Sequence, residues 1–241
     1  MNDQEAVEAH ALRVVTELYP HALGAILGGS AAQGRATATS DLDVAVLLPD
    51  SDVSRREVIR HQGRIIELFL NTLADIPEFF AWDRARRRGT VLFIYDQGLP
   101  LTDPHGHVAH ACQLARDVLA SGPPPLSTAE WTYGRYVLTC FLDDLTHTPP
   151  DNRYEQLSLA DQVLRQAADL LTAYHGGWTG IGKWLPRRLL SADPDLGKAL
   201  LDGHQAVAEH ADPRLLATAV NQVLGLLGGP LLEGFSHPWR A

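Results

Sequence analysis

The sequence has few lysines and an excess of acidic residues. Only two of its 20 basic residues are lysine, Lys183 and Lys198, and 29 acidic residues bring the formal net charge to -9. This balance argues against a general nucleic-acid-binding protein, which needs a broad basic surface. It suits a positively charged small substrate better.

The sequence also lacks the signals of secretion, disulfide bonding and membrane insertion. Its two cysteines, Cys112 and Cys140, stand in stretches typical of helices and form no CxxC pair, so we expect buried thiols. The first ten residues, MNDQEAVEAH, have neither the basic nor the apolar segment of a signal peptide. No apolar run reaches the ~20 residues that a membrane span needs. We therefore expect a cytoplasmic protein without a membrane partner.

Three common catalytic motifs are missing. The sequence contains no Walker A motif, no Rossmann glycine fingerprint and no HExxH zinc motif. These absences exclude the enzyme classes that depend on those motifs.

Strand and helix patterns alternate along the first half of the chain. Short apolar runs predict four strands, over residues 22–29, 43–49, 64–71 and 90–96. Helical spacing predicts helices over residues 4–18, 54–61 and 76–88. Alternation of this kind is typical of a layered α/β domain.

A proline-rich connector, SGPPPLS at 121–127, marks a change in pattern. After it, apolar residues at three-to-four spacing predict helices over residues 128–146, 154–175, 193–209 and 213–227. The predicted fold class is α+β, layered, with a mixed sheet flanked by helices in domain 1–122 and an all-α helical bundle in domain 127–241.

Three acidic residues lie within or beside the predicted strands. Asp41 and Asp43 are two residues apart, so a strand points both side chains the same way. Adjacent carboxylates both stay ionised cheaply only when a cation lies between them, and oxygen ligands suit Mg²⁺ or Mn²⁺. Glu67 interrupts the apolar run RIIELFL, where an isolated charge is costly. We expect these three carboxylates to form a metal-binding cluster.

A glycine-rich turn precedes the acid pair by ten residues. Gly28 and Gly29 let the backbone approach a ligand closely. Ser30 begins a short turn or helix, whose free N–H groups and dipole favour a phosphate. Phosphate donors beside a metal-holding acid pair predict a nucleoside triphosphate site.

The motifs within residues 27–70, GGS, then ten residues, then DLD, with a third acid further on, resemble the nucleotidyltransferase superfamily that includes DNA polymerase beta. Within it they are most similar to small bacterial nucleotidyltransferase-domain proteins and the aminoglycoside and lincosamide nucleotidyltransferases. The resemblance implies that domain 1–122 is catalytic, with Ser30 and the Gly29 backbone on the triphosphate. It also implies that Asp41, Asp43 and Glu67 bind the metals. The family more often has aspartate at the third position, so Glu67 stays open between metal ligand and general base.

Three further residues extend the predicted site. Arg35 follows the turn and either steadies a phosphate or is a surface charge. Lys183 lies in the glycine- and tryptophan-rich joint 176–190; the resemblance suggests a phosphate-contacting lysine, and a solvent-facing lysine is the alternative. Asp143 and Asp144 lie near the end of a predicted helix, and Asp144 is the preferred candidate for a general base. An ordinary acid at a helix end is the alternative there.

The function predicted from these motifs is Mg²⁺-dependent (or Mn²⁺-dependent) transfer of a nucleoside monophosphate. The donor is expected to be ATP, and the acceptor a hydroxyl of a small molecule bound between the domains, with release of pyrophosphate. A protein- or RNA-modifying nucleotidyltransferase of the toxin–antitoxin type is one alternative, and a nucleotide-binding module without transfer is another. A homodimer through the edge strands is left open.

Overall fold

The computed structural model describes residues 3–37 and 39–238. The chain divides into two compact units, Met1–Pro123 and Pro124–Ala241. Among the described residues the strands all lie in the first unit, and the second unit is helical. A mixed sheet with flanking helices and a helical C-terminal region confirms the predicted fold class.

The first unit combines five helices and five strands within its described part. Its helices are α1 (Asp3–Leu18), α2 (Gly29–Ala32), α3 (Ile76–Ala85), α4 (Thr90–Gln97) and α5 (His107–Ala120). Its strands are β1 (Gly24–Leu27), β2 (Leu42–Leu48), β3 (Arg55–His61), β4 (Arg64–Thr72) and β5 (Leu99–Thr102). They form a sheet in the order β3-β4-β2-β1-β5. The central strands β2 and β4 are parallel, and the other neighbours are antiparallel.

One face of the sheet packs against α1. Leu42 and Val44 of β2 are fully buried there in one cluster with Ala11 and Val14 of α1. Burial of each such aliphatic side chain stabilises the fold by about 1.5–3 kcal/mol. Because side chains alternate along a strand, this packing turns Asp43 to the opposite face of the sheet.

Residues 55–61 form strand β3, so the helix predicted over 54–61 is wrong. Gln62 and Gly63 have φ values of 50° and 85°, as a two-residue type I′ turn requires. His61 pairs with Arg64 across this turn, and the pairing continues along both strands. The turn brings residues 55–61 back along β4, and that pairing prevails over weak helical spacing in a short segment.

Residues 90–97 form helix α4, so the strand predicted over 90–96 is also wrong. A short apolar run suits a buried helix as well as a buried strand. The helix begins where the buried carboxylate of Asp83 accepts hydrogen bonds from the N–H groups of Val91 and Leu92, at 2.8 and 3.1 Å. Burial raises the pKa of Asp83, and these backbone hydrogen bonds oppose the rise. The carboxylate thereby satisfies backbone donors at the helix start.

The second unit consists of helices in its described part. They are α6 (Thr128–His147), α7 (Arg153–Tyr174), α8 (Trp184–Ala192), α9 (Pro194–His210) and α10 (Arg214–Leu226). The structure confirms the four predicted helices, and α8 lies largely in the stretch predicted as a joint. The helix α6 begins with a capping box, in which Ser127 and Glu130 each bond the other's backbone N–H.

Both cysteines are free, as predicted, with Cys112 buried and Cys140 half-buried. Burial raises the pKa of the Cys112 thiol. None of the helices in the described ranges is long and apolar enough to cross a membrane.

Candidate functional site

Two of the predicted acids lie side by side on the sheet. Asp43 of β2 and Glu67 of β4 are register partners in the parallel pair. Partners in regular register direct their side chains to the same face, which is the face opposite α1. Both residues are half-buried. These two predicted acids therefore share one face of the sheet.

Asp41 lies next to this pair along the chain but outside the strand. It is exposed and immediately precedes β2, which begins at Leu42. The alternation of β2 therefore orients Asp43, and it does not settle the direction of Asp41.

The glycine turn packs directly against Asp43. The N–H of Gly28 donates to the backbone carbonyl of Asp43 at 2.7 Å, which extends the β1–β2 pairing into the turn. Gly29 has a φ of 61°, a conformation that side chains disfavour. A Cβ built on Gly29 would collide with Oδ2 of Asp43. This position therefore requires glycine for two reasons, the backbone conformation and the close approach of the carboxylate.

Ser30 and Arg35 follow on the same turn. Ser30 is half-buried within the single turn of α2, and its carbonyl accepts a hydrogen bond from the N–H of Arg35 at 2.9 Å. The exposed guanidinium of Arg35 bonds the side chain of Gln33, which donates in turn to Gln97 at 3.1 Å. The turn thus places Ser30 beside the Gly29–Asp43 contact and ties Arg35 to neighbouring amides.

Glu67 has a partner that the sequence analysis missed. The guanidinium of Arg56 in β3 forms an ion pair with Glu67, whose side chain is 17% exposed against 62% for Arg56. The same guanidinium lies 5.0 Å from the ring centroid of Phe69. A helix over 54–61 gives no reason to place Arg56 next to Glu67, because only a strand beside β4 brings the two residues together. An arginine therefore offsets the charge of Glu67 within the fold.

The side chains near Asp43 can be compared with the ligands that a divalent metal ion needs. In the described ranges, no three His, Cys, Asp or Glu side chains gather as a group that could hold a metal ion. The carboxylates of Asp43 and Glu67 nevertheless share one face, and the absence of a side chain at Gly29 leaves room for the Asp43 carboxylate. Carboxylate oxygens are the chemistry that a hard divalent cation takes. The chemistry of Asp43 and Glu67 suits such an ion, and the ligand set Asp41, Asp43 and Glu67 stays a prediction.

The two candidates in the second unit lie on helices of that unit. Lys183 is exposed at the N-cap position of α8. Asp144 is exposed on α6, and its backbone carbonyl accepts hydrogen bonds from the N–H and the hydroxyl of Thr148. The predicted roles of Lys183 and Asp144 stay predictions.

A glycine turn held against an acid on a mixed sheet combines backbone donors for phosphate oxygens with an oxygen ligand for a metal ion. Residues 10–88 match the family model of the nucleotidyltransferase domain. The matched segment includes the glycine turn, Asp41, Asp43 and Glu67. The match shows a nucleotidyltransferase domain over residues 10–88.

A nucleotidyltransferase-like protein from Exiguobacterium sibiricum 255-15 is similar at 14% identity, over 92% of this chain and 74% of that one, with a TM-score of 0.46. No curated protein sequence matches the chain.

Proposed function

We propose that the first unit transfers a nucleoside monophosphate, AMP from ATP, to a hydroxyl of a small acceptor with the help of Mg²⁺ or Mn²⁺. The observation that carries the proposal is the contact between the glycine turn and Asp43, beside Glu67 on the next strand. The turn offers backbone donors for phosphate oxygens, and the acids offer oxygen ligands.

Different residues would bind the triphosphate, hold the metal ion and accept the proton of the acceptor hydroxyl. The backbone of Gly29 and the Ser30 hydroxyl hold the triphosphate, with Arg35 as a further phosphate contact. Asp41 and Asp43 hold the divalent ion, which when bound supplies charge neutralisation at the phosphates. Glu67 either completes the ligand set or accepts the proton of the acceptor hydroxyl.

The proposed transfer needs no reactant other than ATP and the acceptor hydroxyl. The acceptor oxygen forms a bond to the α-phosphorus, and the bond from that phosphorus to the bridging oxygen breaks. Pyrophosphate leaves with that electron pair, and the hydroxyl proton passes to a carboxylate or to solvent. Lys183 and Asp144 of the second unit are proposed as a phosphate contact and an alternative base. We place the reaction in the cytoplasm, where Cys112 and Cys140 would remain thiols.

Incubation with α-labelled ATP, Mg²⁺ and a panel of hydroxylated small molecules tests the proposal. We expect pyrophosphate release and label on one class of acceptor, in proportion to added metal. Label on a protein or an RNA would show that the acceptor is a macromolecule instead. Turnover that is unchanged in both Asp41→Ala and Asp43→Ala would overturn the metal assignment.

A further inference from the structure

A second polar position lies on the Glu67 face of β4, four residues further along the strand. Asn71 shares that face because β4 keeps a regular register with β2 and side chains alternate. At ~3.3 Å per residue, Asn71 is about 13 Å from Glu67 along the strand. It is one wall of an open pocket of about 230 Å³. The other lining residues are Ser54, Asp75, Glu78, Phe79 and Trp82.

The amide of Asn71 is incompletely satisfied. Asn71 is 4% exposed, and its Oδ1 is buried without a hydrogen-bond partner in the part of the chain that the structure describes. Buried polar atoms in folded proteins are nearly always paired, because an unmade hydrogen bond is costly. The partial negative charge of this oxygen is therefore not offset by a donor, and it adds to the negative potential at this wall of the pocket.

The rim of the pocket is negatively charged. Asp75 and Glu78 are both exposed carboxylates there. The Ser54 hydroxyl donates to Asp75 Oδ2 at 2.6 Å and accepts from the Thr72 N–H at 2.9 Å, so its donor is already engaged. Hydrogen bonds from Ser54 and Thr72 lower the pKa of Asp75, so this carboxylate is ionised at neutral pH. The pocket therefore offers a ligand acceptors and negative charge.

Two aromatic rings complete the pocket. Phe79 and Trp82 are stacked with their centroids 5.6 Å apart, and Trp82 is 48% exposed. The guanidinium of Arg86 already lies 3.8 Å from the Trp82 ring centroid. The ring thus attracts a cation, as the negative face of an indole does. The exposed Arg86 side chain is the internal competitor of any cation that enters.

We propose that this pocket binds a small organic cation, a protonated amine carried on a flat or apolar body. The amine faces the carboxylates of Asp75 and Glu78 at the wall that Asn71 contributes, while the body packs against Phe79 and Trp82. The site is separate from the Gly29–Asp43 contact and involves no covalent step. The proposal goes beyond nucleotidyl transfer and does not depend on it.

Calorimetric titration of the full chain, without nucleotide or metal, tests this site. The probes are 2-phenylethylammonium and its neutral counterpart 2-phenylethanol. We expect millimolar or tighter binding of the ammonium and about tenfold weaker binding of the alcohol, because a hydrogen bond to a charged group is worth about a factor of ten or more. Glu78→Gln and Asn71→Leu should each weaken ammonium binding by about tenfold.

Two further variants make the test specific. Arg86→Ala removes the competing cation and should tighten ammonium binding several-fold. Asp117→Asn removes an exposed carboxylate from α5, outside the pocket lining, and should leave the affinity unchanged.

Equal affinity for both probes, no binding of either, or full affinity in Glu78→Gln would each overturn the proposal. Glu78 is exposed, so its variant does not depend on repacking the core. Because no ATP or metal is present, failure here leaves the nucleotidyl-transfer proposal intact, and failure of transfer leaves this one intact.

Discussion

Two polar side chains, at opposite ends of one face of β4, differ in whether they have partners within the fold. Glu67, 17% exposed, has its charge offset by Arg56. Asn71, 4% exposed, keeps a buried Oδ1 without a partner in the described part of the chain. A half-buried carboxylate needs a compensating charge, whereas a neutral amide can persist unpaired at a smaller cost. At the first end an ion pair offsets the charge of Glu67, and at the second a buried acceptor is left without a donor in the described part of the chain.

The two ends also differ in how closely the chain packs. At the Glu67 end, Gly29 lies so close to Asp43 that a side chain would collide with the carboxylate. At the Asn71 end, Phe79 and Trp82 border an open pocket. Close packing that fixes the Asp43 carboxylate suits a catalytic site. An open pocket, by contrast, suits the binding of a ligand.

The largest effect is expected at Asp43. Asp43→Asn removes a negative charge beside the glycine turn and should lower the rate of nucleotidyl transfer about 10³-fold, as loss of a charge-stabilising group does. The measurement is the rate of pyrophosphate release at saturating Mg²⁺. Asp117→Asn on α5 is the charge-matched control and should keep the wild-type rate. A less than tenfold loss would remove Asp43 from the proposed catalytic set.

The next effect is expected at Gly29. Gly29→Ala places a Cβ against the Asp43 carboxylate and should reduce the transfer rate about 10²-fold, because a small misplacement in a site can cost that much. A positive φ at alanine should also lower the free energy of unfolding by about 1 kcal/mol.

Gly63→Ala is the matched control for that variant. Gly63 also has a positive φ, 85°, but a Cβ there meets no atom of the described chain within 4 Å. It should show a similar loss of stability by urea denaturation and retain transfer activity. Equal loss of activity in both variants would mean that backbone strain, not the contact with Asp43, explains the effect at Gly29.

The Glu67 end could largely be predicted from the sequence. The apolar runs that become β2 and β4 locate the central strands, and their acidic interruptions locate Asp43 and Glu67 on one face. The glycine turn is local in sequence to β1, so its position follows as well. These features depend on short-range patterns, and short-range patterns are what a single sequence displays.

The Asn71 end and the Arg56 ion pair could not be predicted in the same way. Arg56 reaches Glu67 only after the Gln62–Gly63 turn pairs β3 with β4, and this turn is a weaker signal than Asn-Gly. The pocket depends on α3 folding back over the end of β4, which brings Phe79 to Asn71. No local pattern marks Asn71 as unsatisfied, because satisfaction depends on side chains distant in sequence.

A smaller effect is expected from the ion pair at Glu67. Arg56→Gln removes a positive charge beside Glu67 and should lower the Mg²⁺ concentration for half-maximal transfer by about two- to fivefold, the scale of a partly exposed ion pair. The measurement is a metal titration of the transfer rate.

Glu67→Gln supplies the background that separates a metal role from a structural one. If Glu67 binds the ion, adding Arg56→Gln to Glu67→Gln should shift the metal titration much less than in wild type. An equal shift in both backgrounds would show that Arg56 acts by general charge, and that its pairing with Glu67 has no part in metal binding.

The smallest effect is expected in the stability of the Asn71 end. Asn71→Leu replaces an unpaired buried amide with an apolar side chain of similar size, so the free energy of unfolding should stay the same or rise by about 1 kcal/mol. Thr72→Val at the next position removes a hydroxyl that accepts from the Asp75 N–H at 3.3 Å, and should lower it by about 1 kcal/mol. Urea denaturation of both variants measures the difference. If Asn71→Leu costs more than Thr72→Val, the amide of Asn71 stabilises the fold, and the contrast between the two ends of β4 fails. If instead stability is kept while amine binding weakens, Asn71 is maintained for a ligand and not for folding.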